Sequence, residues 1–187
     1  MSWLPEYIPR PDYYRRLFSY SKKILDDYLR AISKLAWQTV CKNFETSNYS
    51  LKETYLHILT VYNGWLNYNV YGMSSEIPHE TEHNPDCYHS IRDMREFKNR
   101  VWKGVEKLLA SLDEEYSQRR VEAPWLPGSN NLADVLMQVS FEQAHHVGEI
   151  IAIFWKLDIE PPEMTWLETT RKLKSNLRLN QVEDQGR

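Results

Sequence analysis

Cysteine is scarce in this 187-residue chain, which has only Cys41 and Cys87. A disulfide-stapled scaffold is thereby excluded, and a chain of this length can bury a core without one. Six glycines are few for this length, which argues against an all-β fold built on many tight turns. No apolar run approaches the roughly 20 residues that a membrane-spanning helix needs. There is no positive excess either. Lysine and arginine total 23 against 26 acidic residues, so no overall basic field marks a nucleic-acid binder. Basic residues gather only near the end, at Arg171, Lys172, Lys174 and Arg178, and a short basic tail is ordinarily solvated. The opening Met1-Ser2-Trp3-Leu4-Pro5-Glu6 has neither the basic nor the apolar region of a signal peptide. The expectation is a cytoplasmic protein that engages neither membrane nor nucleic acid. Its main domain spans residues 1–163, and a polar tail over 164–187 holds at most one short helix.

What the chain does have is long helical periodicity divided by proline clusters. After Pro11, Leu17, Tyr20, Ile24, Tyr28, Ala31 and Leu35 recur at steps of three and four. Asp12 as cap or Pro11 as first-turn residue opens this helix, and Ala36 to Cys41 either continue it or turn away. Ser50-Leu51-Lys52-Glu53 is a capping box, followed by Leu51, Tyr55, Ile58, Tyr62, Trp65 and Leu66 on one side. Gly72 is a natural stop for that helix. Ser90-Ile91-Arg92-Asp93 opens a third helix, whose apolar stripe Ile91, Met94, Val101, Val105, Leu108 and Leu112 is interrupted by Lys98. A fourth opens at Asn130-Asn131 and runs to Leu157, and Pro161-Pro162 forbid further extension. Four amphipathic helices without a strand pattern predict an all-α four-helix bundle with long links between the later helices.

The fourth helix carries the chemistry. At 100° per residue, Leu132, Val135, Val139, Ile150 and Ile153 fall within about 40° of His146, and so does Glu142. A carboxylate and an imidazole one turn apart are thus predicted at the centre of the core-facing stripe. A buried carboxylate needs a cation, strong donors or a proton. A metal ion is one answer, because Glu-x-x-x-His sets two ligands on one face. His57, at the edge of the second helix's stripe, is the candidate third ligand. The alternative is Glu142 paired with Arg, Lys or His57 across the bundle. His145 points about 100° away from His146, and Glu149 about 60° away, placed to accept from an imidazole N–H. Tyr68 could line a cavity near the site, with core packing as its other role. A rival cluster, His79, His83, Cys87 and His89, has zinc-type ligands but no Cys-x-x-Cys pair, and Pro78 and Pro85 make it read as a solvated loop. Elbow, phosphate-loop and dinucleotide signatures are absent.

Residues 12–163 resemble the DinB-like (YfiT-type) family of metal-binding four-helix bundles. The resemblance rests on Asn131-Leu132-Ala133-Asp134-Val135-Leu136, on Glu142-Gln143-Ala144-His145-His146-Val147-Gly148-Glu149-Ile150, on Asp158-Ile159-Glu160-Pro161-Pro162, and on Ser50 through His57 to Trp65. Glu142 stands where the family usually carries histidine, and Val147 and Glu149 replace arginine and glutamine. The resemblance implies ligation by His57, Glu142 and His146, a two-histidine, one-carboxylate site that suits zinc, nickel, iron or manganese. It implies an up-down-down-up bundle with a long crossover, often a homodimer. Some relatives are S-transferases or isomerases that use a low-molecular-weight thiol, and hydrolysis is a further class to test. A non-catalytic binding or dimerisation module with a vestigial site is the competing expectation.

Overall fold

The computed structural model describes residues 10–70, 82–123 and 126–167. Helix α1 (Pro11–Ile32) begins on Pro11 in its first turn, where the missing N–H costs nothing, and Asp12 lies in that turn without capping it. The chain then turns away into a short helix α2 (Trp37–Val40). Helix α3 (Leu51–Tyr62) starts at the predicted box: Ser50 Oγ accepts from the Glu53 amide at 3.1 Å and donates to Glu53 Oε2 at 2.6 Å. It widens into a π-helical segment over Asn63–Val70, and Gly72, the expected stop, lies outside the described residues. A 3₁₀ turn (Pro85–Cys87) precedes helix α4 (Ile91–Ser111), capped by Ser90 through the Asp93 amide. Helix α5 (Glu114–Ser117) is one turn, capped by Asp113. Helix α6 (Leu132–Lys156) follows Asn131. It stops before the prolines, because Asp158 adopts the left-handed conformation (φ 56°) that breaks the ladder.

The long helices α1, α3, α4 and α6 surround one core. Helix α3 packs most extensively on α6, while α1 contacts α4 and α6, and α3 also contacts α4. Lys98, the polar intruder of the α4 stripe, is buried and reaches Asp26 on α1. The predicted α1 stripe is rotated. Tyr14, Phe18, Ser21, Leu25 and Leu29 are buried beside Ile24 and Tyr28, whereas Leu17, Tyr20 and Ala31 are half-covered. Met164 packs on the core and Trp166 stands edge-on to Tyr20 at 5.2 Å, while residues 168–187 lie outside the described part.

The strand-free expectation fails at one place. Arg120–Ala123 (β1) and Leu126–Asn131 (β2) form an antiparallel pair that pairs Arg120 with Asn131 and Val121 with Asn130. Only Val121 and Ala123 of β1 point inward, and β2 reads as turn residues, so neither strand leaves a usable alternation. The pair feeds directly into α6, whose Leu132 amide donates to Arg119 O at 2.9 Å. No helix among the described residues is long and apolar enough to cross a membrane.

Candidate metal centre

The site lies on the seam between α3 and α6. His57, Glu142 and His146 each offer a ligand atom, and these three atoms lie within 4.8 Å of one another. The His57 and His146 rings stand edge to face with centroids 4.5 Å apart. His146 Nε2 is 3.5 Å from Glu142 Oε2. Two ligands of a tetrahedral ion at about 2.1 Å are separated by about 3.4 Å, so this pair already has the spacing that an ion requires. The second oxygen of Glu142 accepts from Gln138 Nε2 at 2.8 Å, which leaves Oε2 aimed at His146.

Burial corrects the expected placement of Glu142. His146 is buried, but the Glu142 side chain is 35% exposed and His57 is half-buried. Besides His146, the buried polar residue of α6 is Gln143, whose Oε1 accepts from the Tyr62 hydroxyl at 2.5 Å and whose Nε2 donates to Ser21 O at 3.1 Å. The core face of α6 runs through Leu136, Gln143, Val147 and Phe154, so its centre is rotated about 40° beyond His146. Glu142 therefore stands at the rim of the core face, partly open to solvent.

His146 is oriented from behind. Its Nδ1 lies 2.8 Å from Glu149 Oε2, and Glu149 Oε1 accepts from the Ser47 amide at 3.2 Å. Partial burial pushes the Glu149 carboxyl upward, but hydrogen bonds from Ser47 and His146 outweigh it and hold it below its ordinary value. An ionised Glu149 accepts only, so Nδ1 carries the proton and Nε2 presents its lone pair to Glu142 and His57. The Asn48 amide nitrogen, 3.3 Å from Nδ1, cannot donate to that protonated nitrogen and packs beside it. His57 is held below its ordinary value, first by burial and then by repulsion from His146, with Glu142 and Glu149 opposing in part. It is therefore neutral near pH 7 and free to ligate.

Ser47 and Asn48 were not visible as site residues. They come from the loop before α3, where Glu45 (φ 60°) and Tyr49 (φ 64°) take left-handed conformations and Lys156 Nζ donates to Phe44 O at 2.9 Å. The only sequence signal is the polar run Glu45–Asn48 ahead of the cap. His145 is exposed and stands edge-on to His146 at 4.7 Å. With His146 and Glu149 it forms a second group of close ligand atoms. The Tyr68 hydroxyl donates to Glu82 Oε2 at 2.7 Å. That carboxylate is itself buried, accepts from Asn63 at 2.8 Å and faces Arg100 at 3.5 Å, so the loop read as solvated is anchored at Glu82. His79 lies outside the described residues. Among the described ones, no ligand group includes His83, Cys87 or His89.

The DinB superfamily profile matches residues 17–150. The chain belongs to the DinB superfamily. A crystal structure of a DinB-like protein from Bacillus cereus ATCC 10987 superposes with a TM-score of 0.66, covering 85% of this chain and all of the other at 13% identity. At that identity the likeness concerns the DinB-like fold. No curated protein matches the sequence.

Two consequences of this geometry can be measured. Glu149→Gln keeps the shape but removes the charge that fixes the His146 proton. Metal affinity is expected to drop by about 10- to 100-fold, read by competition with a chromophoric chelator. The second concerns pH. The folded His57 resists protonation more than the unfolded one, so the unfolded state binds more protons below its ordinary value. The stability of the metal-free protein should therefore be complete above about pH 6.5 and fall as pH drops through the lowered value. His57→Gln should flatten that part of a urea-midpoint profile.

Proposed function

We propose that this DinB-superfamily chain is a metal-dependent enzyme whose ion is held by His57, Glu142 and His146. The observation that carries the reading is the three-atom cluster with His146 Nε2 turned into it by Glu149. The donor set suits zinc, nickel, iron or manganese. Three protein ligands leave room for water or a low-molecular-weight thiol, and a bound ion would lower the pKa of that group toward neutrality. The protein's own work is positional. Glu149 and Ser47 fix the His146 tautomer, burial keeps His57 neutral, and Gln138 holds one Glu142 oxygen while the other stays at the rim. That rim opens the site to a small substrate from the solvent side. Transfer of a thiol sulfur to a small electrophile is the first reaction class in this reading, and hydrolysis is the second. An up-down-down-up helix order and a cytoplasmic location belong to the same reading.

Elemental analysis of protein purified without an affinity tag tests the binding step. After reconstitution about one equivalent is expected, reduced in both His57→Ala and Glu142→Ala, whereas less than about a tenth of an equivalent would leave a non-catalytic module. Cobalt(II) tests the thiol step. Entry of a thiol should add a sulfur charge-transfer band, and a spectrum indifferent to thiols would remove the transfer reaction.

A further inference from the structure

The seam between α1 and α4 lies across the bundle from the one between α3 and α6. It holds an open cleft of about 400 Å³, walled by Arg15, Phe18, Ser19 and Lys22 of α1 and by Trp102 and Glu106 of α4. That volume falls at the lower end of the range for small-molecule sites. The inner wall is aromatic. Trp102 is only 3% exposed, and the Tyr62 ring backs both Trp102, at 5.2 Å, and Phe18, at 5.8 Å. The Trp102 Nε1–H is buried and meets no acceptor among the described residues. A stranded donor is costly, and a purely apolar ring would line the cleft without one. The rim is charged. Arg15 engages Leu109 O, Leu112 O and Asp12 through three of its five N–H groups, which leaves two. Lys22, two helical turns further along α1, pairs with Glu106 across the seam. Two cations thus face one carboxylate in the lining.

We infer that this cleft binds a small aromatic acid. Its carboxylate lies against Arg15 and Ser19, its ring against Phe18 and Trp102, and an oxygen at its inner end accepts from the Trp102 Nε1–H. Each part of the ligand answers a feature of the wall. The excess of cations selects an anion over an amine, and a carboxylate matches the planar guanidinium. The two rings favour a flat partner that can stack or stand edge-on. The inner oxygen supplies the acceptor that the chain does not. None of His57, Glu142 and His146 takes part, so the site holds whether or not an ion is bound on the opposite seam.

The probe is p-hydroxyphenylacetate, which carries a carboxylate, a ring and a distal oxygen. In the nitrogen-labelled full chain, the indole N–H resonance that disappears in Trp102→Phe belongs to Trp102. The probe should shift that resonance saturably, with a dissociation constant below about 1 mM. Phenylacetate, which lacks the oxygen, should bind about three- to ten-fold more weakly, and tyramine, an amine in place of the acid, should not bind. Followed at the Ser19 amide, Trp102→Phe should weaken p-hydroxyphenylacetate to the level of phenylacetate and leave phenylacetate unchanged. Lost packing alone would weaken both acids alike. Ser19→Trp, at an exposed position, should block both acids without lowering the melting temperature. An unshifted Trp102 resonance, tyramine binding as well as the acid, equal weakening of both acids by Trp102→Phe, or binding unaffected by Ser19→Trp would each overturn the inference.

Discussion

Replacing His146 with alanine is expected to remove stoichiometric metal binding and leave the bundle folded. His146 alone belongs to both groups of close ligand atoms on α6, and its Nε2 sits at ligand spacing from Glu142. Its loss leaves His57 and Glu142 to hold the ion between them. Structural metal sites with four ligands carry about 10–16 kcal/mol, so one ligand accounts for an affinity change of about two orders of magnitude or more. The fold should tolerate the change. His146 lies at the border of the core face rather than in the packed row of Val139, Gln143 and Val147, and Glu149 keeps its bond from the Ser47 amide. A chelator-competition titration beside a thermal melt separates the two effects. Retained affinity in His146→Ala would place the ion elsewhere, and loss of the folded state would make His146 a structural residue first.

Gly104→Ala is expected to lower stability markedly for a change of one methyl group. On the buried side of α4, a Cβ at residue 104 would lie 2.6 Å from Asn67 Cγ, 2.9 Å from its Nδ2, and closer still to Oδ1. The amide cannot swing aside. Asn67 is buried, and its Nδ2 donates both to Asn63 Oδ1 at 2.9 Å and to Val101 O at 3.1 Å. Asn63 in turn holds Glu82. Moving Asn67 would strand several buried polar groups, so the backbones of α4 and the π-helical segment would have to part. Overpacking of this kind costs about 1–3 kcal/mol, well beyond the helix-propensity gain from replacing glycine. Urea denaturation should show a lowered midpoint with an unchanged slope. An unchanged or raised midpoint would mean that the Asn63–Asn67–Glu82 network is loose.

Local chemistry was the most legible part of the chain. Ser50 and Ser90 each accept from the amide three residues on, so α3 and α4 begin where the capping pairs place them. His57 and His146 fall on facing helices because periodicity fixes which side of each helix they occupy. What periodicity cannot fix is which of two apolar faces on α6 turns inward. Both faces carry valine, isoleucine or aromatic residues, so the expected centre was drawn to His146, and Glu142 was read as buried when it stands at the rim. Glutamine at 143 gave no hint that it would be buried, because its partners, Tyr62 and Ser21, lie 81 and 122 residues away. The loop that supplies Ser47 and Asn48 depends on left-handed turns at Glu45 and Tyr49, residue types that do not announce such a conformation. The β1–β2 pair was missed for a related reason: a two-residue inward pattern is shorter than any period it could display.

The most direct measurement is anomalous scattering from crystals of the zinc-loaded protein, collected on both sides of the zinc edge. The account predicts one strong peak per chain within about 2.0–2.2 Å of a His57 nitrogen, Glu142 Oε2 and His146 Nε2, with Glu149 remaining on His146 Nδ1. A peak held by His145, His146 and Glu149 instead, or no peak between α3 and α6, would contradict it.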